Sequence, residues 1–497
     1  MRRGADQMPV LSSLLLRLDR HASVPLHEQI FRAVRERILG NELAPNTRLP
    51  SSRQLARDLG VARTTVLQAL DGLVAEGLVV THRASATRVA AELPAKLEGR
   101  RADARAARPP RLARAVRANP GAAMGAPLLG AGPRAFRPGV PALDLFPIAV
   151  WSRISARVHA RATTALLAGS EPNGDSALRT AIAAHVSSSR GLRCTAEHVF
   201  ITSGTQQAFD EILRLAVDPG AQVWVENPGY VGALRAVIAV HATPVGVPVD
   251  AYGLDVAAGI ARAPRARAVM LAPSHQYPLG VTLGLSRRLA LLRWASRARA
   301  VIIEDDYDSE FHHRGRPLMA LAGLDPSALV VYIGTFSKSL FPGLHIGYFV
   351  VPPQLAAAVA ASRASQGAPA PVLDQATLAE FFAAGHFASH LRRMRATYRE
   401  RSEALEAALD ADCGDLLVHA PCDTGLELVA TFPAGMRVSD RRVAREAADR
   451  DVEVAALSSY GLGRARRNGL VLGFGCVRPS QMRSATQRLA RAITAAL

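Results

Sequence analysis

The side chain of Lys338 is a primary amine in a chain that otherwise uses arginine for its positive charge. Of 60 Lys and Arg residues, two are lysine, Lys96 and Lys338. Arginine stays protonated and has no amine free to condense with an aldehyde, whereas lysine can form a Schiff base. Lys338 lies in residues 334–342 (GTFSKSLFP), directly after the apolar run 329–333. An arbitrary lysine beside a strand is usually a surface residue, but this context favours a lysine that binds an aldehyde.

Acidic side chains follow a second apolar run upstream. Residues 300–303 (AVII) lead into residues 304–311 (EDDYDSEF). Two buried strands that each end in polar groups are how an open α/β sheet builds a site along its carboxyl edge. A carboxylate at that edge is placed to face a pyridinium nitrogen while a lysine holds the aldehyde. The two segments therefore predict an aldehyde cofactor with a pyridine ring, bound through Lys338.

The length and composition of the chain limit the classes of protein to which it can belong. A chain of 497 residues is too long for one core and predicts two or three domains. Its hydrophobic content of 49%, with 21% charged residues, is typical of a soluble globular protein, and no apolar run is long enough to span a bilayer.

The basic N-terminus lacks the apolar segment of a signal peptide. Four cysteines without metal-ligand spacing predict a reducing cytoplasm and exclude a disulfide framework and a zinc site. The net charge of +18 favours a polyanionic partner such as nucleic acid.

The first 90 residues have the pattern of a winged helix-turn-helix. Apolar residues at helical spacing predict a helix over residues 26–39, and Ser51 with Gln54 predicts a capping box at the start of a short second helix. A third helix opens at about residue 61, and a small hairpin follows over residues 78–89. The alternative is a small helical subdomain with ordinary surface arginines.

Several polar side chains in this region are placed to contact DNA. Arg63, Thr64 and Thr65 stand at the N-terminal end of the third helix, from which side chains reach base edges in the major groove. Arg53 at the start of the second helix suits a phosphate or groove contact. We therefore predict double-stranded DNA as a partner.

The remaining chain divides into a linker and a large domain. Residues 91–135 are rich in Ala, Arg and Pro and predict a mobile tether, whose arginines either add salt-sensitive attraction to DNA or serve only as a linker. From residue 136 strands alternate with helices, which predicts an α/β domain over residues 136–497 with a mostly parallel sheet. Ser203, Gly204 and Thr205 form a small-residue turn that can offer N–H groups to a phosphate. Tyr230 can stack on a flat ring, whereas for His275 a structural role is the commoner case and is preferred.

Residues 24–90 (domain 20–90) resemble the winged helix of the GntR family of bacterial regulators, through Leu-Pro-Ser-x-Arg and Val-x-Arg-Thr-Thr-Val. The resemblance adds Ser52 and Thr87 to the expected DNA contacts. Two departures stand out. Ala62 replaces the usual Ser or Thr, which removes a helix N-cap worth roughly 1 kcal/mol. The wing, usually Gly-Ser-Gly-Thr, reads Ala-Ser-Ala-Thr over residues 84–87 and lacks two glycines that can take positive φ.

Residues 136–497 resemble the fold type I aminotransferases that bind pyridoxal 5'-phosphate, and the whole chain resembles the MocR/GabR group, in which this domain is fused to a GntR winged helix. The motifs that carry the resemblance are EDDYDSEF, PSHQYP and GTFSKSLFP. It implies an α+β subdomain in the last ~120 residues. It also implies that Lys338 forms the Schiff base, Asp305 faces the pyridine nitrogen, Tyr307 bonds the ring hydroxyl and Tyr230 stacks on the ring. The residues implied at the phosphate are Ser203, Gly204, Thr205 and Thr335.

Two departures from that group concern binding of anionic groups. His345 stands where the group has a phosphate-binding arginine, and neutral imidazole supplies one hydrogen bond and little charge. Leu470 stands where aminotransferases have the arginine for the substrate carboxylate, with Arg466 and Arg467 just before it. A carboxylate without a bidentate guanidinium partner loses much of its orientation.

The sequence favours a cytoplasmic transcriptional regulator that senses pyridoxal phosphate, alone or with an amine or amino acid effector. The alternative is a working aminotransferase with an attached DNA-binding domain. A weaker third option is a sensor that has lost its cofactor because His345 replaces arginine. The winged helix, the basic charge and the missing carboxylate arginine favour a regulator over an enzyme. The resemblance also implies a homodimer, which would match paired half-sites on an operator.

Overall fold

The computed structural model of this chain describes residues 18–40, 42–81, 87–91, 134–169, 171–313, 319–325, 329–365, 371–463 and 467–497. The chain divides into two compact units, residues 1–111 and 112–497. The predicted domain limits stay predictions, because residues 92–133 lie outside the described residues. Residues 84–86 of the predicted wing lie outside them too.

The first unit consists of three helices and a two-stranded antiparallel hairpin. Its elements are α1 (Leu26–Leu39), α2 (Ser52–Leu59), α3 (Arg63–Ala75), β1 (Val79–Val80) and β2 (Arg88–Val89). Ile30, Val66 and Leu73 are among the buried side chains that join the helices into one core. This arrangement confirms the predicted winged helix-turn-helix.

The start of α2 differs from the predicted capping box in one half. Ser51 Oγ accepts the Gln54 N–H at 3.2 Å, as predicted. The Gln54 side chain, however, donates its Nε2–H to Asp58 Oδ1 at 2.7 Å and does not return to accept the Ser51 N–H. The prediction of a reciprocal box was wrong because the carboxylate one turn further along α2 draws the Gln54 amide away from the N-cap. At the start of α3, Ala62 provides no side-chain cap.

The second unit is built on an eight-stranded sheet with the order β3-β10-β9-β8-β7-β4-β5-β6. Its strands are β3 (Val199–Thr202), β4 (Gln222–Asn227), β5 (Thr243–Asp250), β6 (Gly253–Leu254), β7 (Ala268–Leu271), β8 (Val301–Asp306), β9 (Val330–Thr335) and β10 (Gly347–Val350). The strands β5, β4, β7, β8 and β9 run parallel, and β10 is antiparallel to both β9 and β3. The carboxyl ends of the parallel strands therefore lie at one edge of the sheet.

Helices cover both faces of this sheet. The helices up to β10 are α4 (Ile148–Ala160), α5 (Thr164–Leu167), α6 (Ser176–Arg190), α7 (Thr205–Ala216), α8 (Val231–Ala239), α9 (Val256–Arg262), α10 (Leu285–Ala298) and α11 (Leu321–Leu324). Every residue of β3, β7, β9 and β10 is buried, as expected of strands covered on both sides. On β4, Val223 and Val225 belong to one core cluster, whereas Trp224 belongs to another and stacks on Trp294 of α10 at 3.7 Å between ring centroids.

A smaller antiparallel sheet follows near the C-terminal end, with the order β11-β12-β14-β13. Its strands are β11 (Val418–His419), β12 (Glu427–Thr431), β13 (Ala455–Ala456) and β14 (Gly469–Gly473). The helices after β10 are α12 (Pro353–Ala364), α13 (Val372–Ala383), α14 (His386–Cys413), α15 (Asp440–Ala448) and α16 (Pro479–Ala496). Strands in one sheet and helices packed beside it form the predicted α+β subdomain. Among the described helices, none combines the length and apolar character that crossing a membrane requires.

We predict that Ser51→Ala weakens the first turn of α2, because it removes the acceptor of the Gln54 N–H. The expected loss of local stability is about 1 kcal/mol. Hydrogen exchange of the full chain, read by mass spectrometry on peptides from α2, measures it as faster exchange at Gln54. Ser51→Asp keeps an acceptor at the same position and serves as the control. Equal exchange in wild type and Ser51→Ala would contradict the capping role.

Candidate functional site

Side-chain alternation along β8 sends three consecutive carboxylates to opposite faces of the strand. Glu304 accepts two backbone N–H groups at the start of α11, both at 2.8 Å. Asp306 accepts Arg190 Nε at 2.7 Å in a buried ion pair. Asp305 lies between them, and its side chain borders a cavity of about 310 Å³. The strand thus uses two carboxylates for structure and presents the third to the cavity.

Asp305 has a hydrogen-bonding capacity that the protein does not use. Its Oδ1 is inaccessible to solvent and accepts no hydrogen bond from the described residues. Burial raises the pKa of Asp305 to about 7, with further increases from Asp306 and Asp308, while Lys338 opposes the shift. Although the side chain keeps some exposure to the cavity that it borders, it lies deep in the unit. A cationic N–H donor beside it would satisfy the oxygen and favour the carboxylate form.

Lys338 follows β9 in a tight turn and reaches back to the segment before α4. Its Nζ donates to the Gly139 carbonyl at 2.7 Å. Gly139 has φ of +75°, and a Cβ there would lie 2.4 Å from Nζ, so only glycine leaves room for the lysine. The side chain is half-buried. Its electrostatic effect on the pKa of Asp305 places the amine and that carboxylate in one site.

Tyr307 and His275 form a buried polar group with Asp308. His275 Nδ1 lies 2.9 Å from Asp308 Oδ2 and 3.0 Å from the Tyr307 hydroxyl. Burial disfavours a charged imidazole, but Asp308 raises the pKa of His275 above its usual value. Because a carboxylate can only accept, we assign the Nδ1 proton to the bond with Asp308. The Tyr307 hydroxyl then keeps its own proton for another acceptor.

The predicted phosphate residues meet where β10 lies between β3 and β9. Gly347 pairs with Thr202 on one side and with Thr335 on the other. A Cβ at Gly347 would approach Gly204 Cα to 3.0 Å, so this glycine permits close contact. Gly204, with φ of +90°, begins the 12-residue helix α7 without a side-chain cap. The first N–H groups of α7 therefore have no acceptor within the helix.

The residues that flank Gly204 and Gly347 at this end of the sheet are also polar. The Ser203 N–H donates to Gln207 Oε1 at 2.6 Å, and Thr205 is the first residue of α7. Thr335 Oγ1 accepts the Ser337 N–H at 3.2 Å. His345 is exposed in the turn before β10, with φ of +50°. The structure thus brings Ser203, Gly204, Thr205 and Thr335 to the same end of the sheet.

Aromatic side chains line the cavity beside Asp305. Tyr230 is 44% exposed and forms one wall, and the hydroxyls of Tyr277 and Tyr460 lie 2.9 Å apart at another. Arg441 on α15 also lines the cavity and is exposed. Of the predicted cofactor residues, Tyr230 and Asp305 line this cavity directly, whereas the others surround the same end of the sheet without lining it.

Sequence reasoning missed two residues of the site, Gly139, which contacts Lys338, and Glu427. His275, for which a hydrogen-bonded structural role was preferred, contacts both Tyr307 and Asp308. Glu427 at the start of β12 is buried, and neither of its carboxylate oxygens accepts a hydrogen bond from a described residue. The signal that could have revealed Glu427 is a single carboxylate in the otherwise apolar run 426–430 (LELVA).

The expected substrate-carboxylate position contains no cation. Leu470 is fully buried and lies on β14. Arg467 donates its Nη2 to the Val249 carbonyl at 2.7 Å and is therefore engaged elsewhere. Arg466 lies outside the described residues. Leu470 therefore offers no charged group, and its correspondence to the carboxylate-binding position stays a prediction.

In the first unit, the predicted DNA contacts lie around the start of α3. Arg63 and Thr64 are exposed and Thr65 is half-buried. Arg63 Nε donates to Ser52 Oγ at 3.3 Å, which joins the first residues of α2 and α3. Arg53 is exposed on α2, and half-buried Thr87 precedes β2. The described surface thus groups Ser52 with Arg63 directly and leaves Arg53 and Thr64 accessible.

Comparisons with known proteins match both units. The profile for bacterial regulatory proteins of the gntR family matches residues 26–89, and that for aminotransferase class I and II matches residues 143–467. The chain is 38% identical over 490 residues to the probable rhizopine catabolism regulatory protein MocR of Rhizobium meliloti, covering 97% of this chain and 96% of the relative. It is 31% identical to the pyridoxine biosynthesis regulator PdxR of Corynebacterium glutamicum, covering 94% of this chain and 95% of the relative.

Solved structures similar to this chain are aminotransferases. The alpha-aminoadipate aminotransferase LysN of Thermus thermophilus, complexed with N-(5'-phosphopyridoxyl)-L-leucine, has a TM-score of 0.66 and 28% identity, covering 73% of this chain and 92% of that one. The chain therefore belongs to the GntR family of bacterial regulatory proteins, in the MocR group that joins a winged helix-turn-helix to an aminotransferase class I and II domain.

Proposed function

We propose that this chain is a sequence-specific DNA-binding transcriptional regulator whose second unit binds pyridoxal 5'-phosphate through Lys338 as an effector. The observation that carries the proposal is the joint presence of the Lys338 amine and the unsatisfied Asp305 Oδ1 at one sheet edge. The first unit of the same chain is a winged helix. Relatives named as transcriptional regulators match nearly the whole chain.

The donors and acceptors of the site fit this cofactor. Asp305 Oδ1 lacks a donor, and a pyridinium N–H would satisfy it while the carboxylate keeps that nitrogen protonated. The Tyr307 hydroxyl has a proton to donate to the ring oxygen. Tyr230 offers an aromatic face, and the start of α7 offers N–H groups for a phosphate. His345 supplies less charge to a phosphate than an arginine would.

When bound, the cofactor supplies an aldehyde carbon that a primary amine can attack and a ring that withdraws electrons from that carbon. The protein supplies the rest. Gly139 clears space for Lys338 and holds its amine through the backbone carbonyl. Asp308 fixes the orientation of His275, so that the Tyr307 hydroxyl keeps its proton for another acceptor.

A regulatory role is favoured over turnover by the position of Leu470. An aminotransferase orients the substrate carboxylate with a bidentate guanidinium, and here that position is a buried leucine. An active aminotransferase is the second candidate, because Lys338, Asp305 and Tyr307 would serve catalysis as well as sensing. The solved aminotransferases with the same fold support that candidate.

DNA binding is the output of the proposed regulator. Arg63 at the N-terminal end of α3 is placed to read a base, while Arg53 suits a phosphate. The hydrogen bond from Arg63 Nε to Ser52 Oγ holds the Arg63 guanidinium at the N-terminal end of α3. We propose that the regulator works as a homodimer on paired half-sites in the cytoplasm, where the chromosome lies.

We predict that the protein saturated with pyridoxal phosphate shows a visible absorbance band that Lys338→Ala abolishes. The band requires the lysine nitrogen to be bound to the cofactor. Lys96→Ala removes the other lysine of the chain and is the matched control. An unchanged spectrum in Lys338→Ala would refute the proposed attachment.

Arg63→Ala is expected to weaken binding of the full chain to the DNA upstream of its own or a neighbouring gene by about 1–3 kcal/mol. The reason is the loss of a side chain that reads a base edge. Fluorescence anisotropy at moderate salt measures it, with Arg32→Ala on α1 as the control. Equal affinity of the wild type for operator and random DNA would remove the claim of sequence specificity.

We expect no sustained amino transfer between common amino acids and keto acids, because Leu470 cannot orient a carboxylate. The measurement is keto acid formation over many turnovers by cofactor-loaded protein, with Lys338→Ala as the background. Brisk turnover that depends on Lys338 would favour the enzyme over the sensor.

A further inference from the structure

Glu427 is a buried carboxylate within the proposed cofactor site, and the cofactor itself does not account for it. It is 6% exposed at the start of β12. Neither Oε1 nor Oε2 accepts a hydrogen bond from the described residues. The Gly139 N–H lies near enough to lower the pKa of this carboxyl but makes no hydrogen bond of normal geometry with it. A buried carboxylate without a donor is unfavourable, so its presence points to a missing partner.

The carboxylate faces the reactive amine. A Cβ built on Gly139 would lie 2.4 Å from Lys338 Nζ and 3.8 Å from Glu427 Oε1. Both end groups therefore converge on the same side of Gly139. Burial and Asp308 raise the pKa of Glu427, while Lys338 and His275 oppose that shift. Lys338, His275 and the Gly139 N–H therefore favour the charged form of this carboxyl.

Among the described residues, neither the Lys338 nor the His275 side chain fills the Glu427 oxygens with a hydrogen bond. His275 is held by Asp308 at 2.9 Å. Lys338 must leave the Gly139 carbonyl when its nitrogen joins the aldehyde carbon. The carboxylate then keeps two unfilled oxygens beside the place where an incoming amine would react. A ligand with a cationic donor would fill them.

The surroundings select against a carboxylate on the same ligand. Leu470 is buried and apolar, and Arg467 donates to the Val249 carbonyl. Arg441 lines the cavity but is exposed, and the larger effects on the pKa of Glu427 come from other groups. Near Glu427 stands a second carboxylate, Asp308. An anionic ligand group at this position would meet like charge.

We propose that the second ligand of this site is a primary amine with an additional cationic group that binds Glu427, such as a diamine, and not an amino acid. This inference rests on the proposed attachment of pyridoxal phosphate to Lys338. In the exchange, the ligand nitrogen forms a C–N bond to the aldehyde carbon and the C–N bond to Lys338 Nζ breaks. The protons lost by the ligand nitrogen pass to Nζ, so nothing is oxidised or reduced.

The test uses the full chain loaded with pyridoxal phosphate and freed of excess cofactor. Two matched sets of ligands are added, each with a diamine, a monoamine and an amino acid. The three-carbon set is 1,3-diaminopropane, 1-aminopropane and 3-aminopropanoate. The four-carbon set is 1,4-diaminobutane, 1-aminobutane and 4-aminobutanoate. Borohydride then fixes the cofactor to whichever nitrogen holds it, and mass spectrometry reads the fraction left on the Lys338 peptide. We expect a diamine to displace the cofactor at a concentration about ten- to a hundredfold lower than its monoamine, and the amino acid to be no better than the monoamine.

Three variants complete the experiment. Glu427→Gln should bring diamine and monoamine to equal effect, and Glu427→Asp, which keeps the charge, should retain a preference for the diamine. Glu446→Gln on α15 changes a half-buried glutamate that pairs with Arg450, and should behave as wild type. Equal response of the wild type to diamine and monoamine, or a preference for the amino acid, would overturn the inference while leaving the cofactor attachment intact. Absence of cofactor on the Lys338 peptide before any ligand is added would instead overturn the proposed function, and this inference with it.

Discussion

The site depends on the alternation of side chains along β8. Three neighbouring carboxylates would repel one another if they faced the same way in a buried environment. Because the pleat separates them, Glu304 and Asp306 are satisfied by the start of α11 and by Arg190, and Asp305 alone faces the cavity. The two structural carboxylates still act on the third, since Asp306 contributes to the raised pKa of Asp305. This arrangement of the strand therefore provides one carboxyl group, that of Asp305, whose pKa is about 7.

The two kinds of basic side chain perform different tasks in this unit. Arginine supplies the buried ion pairs, as in Arg190 with Asp306 and Arg363 with Glu211, where a guanidinium also donates to nearby carbonyls or hydroxyls. Arginine stays charged in such places, which makes it suitable for structure and unsuitable for condensation with an aldehyde. Lys338 is instead held by a single backbone carbonyl, in a place that glycine keeps open. The near absence of lysine from the sequence therefore agrees with how the described arginines are used.

The sequence alone was enough to predict the features that depend on residues close to one another in the chain. The winged helix, the strands that carry Asp305 and Lys338, and the turn at Gly204 all follow from local patterns and from the resemblance that the motifs carry. The carboxylate of Glu427 stands out in an apolar run, but that Glu427 and Gly139 meet Lys338 could not be predicted, because their segments lie far from it in the chain and come together only in the folded unit. The Gln54 side chain was assigned to the Ser51 N–H but bonds Asp58, because a donor and a charged acceptor both lie within its reach and the pattern does not rank them. The hydrogen-bonded role expected for His275 agrees with its contact with Asp308, but the identity of that partner, 33 residues away, could not be read from the local pattern.

A sensor and an enzyme built on this fold have different requirements for the ligand. An enzyme must hold the ligand carboxylate so that the reacting bond is aligned, which is the function of the guanidinium that Leu470 replaces. A sensor needs only a difference in binding free energy between two states of the protein. Under the proposed attachment of pyridoxal phosphate to Lys338, an exchanging amine would take over the cofactor and release the lysine amine into the space beside Gly139 and Glu427. That space contains an unsatisfied carboxylate, so the released amine and the ligand both alter its electrostatic balance. A change in the charge around one buried carboxylate is the kind of local event that can bias a second unit of the chain without chemical turnover.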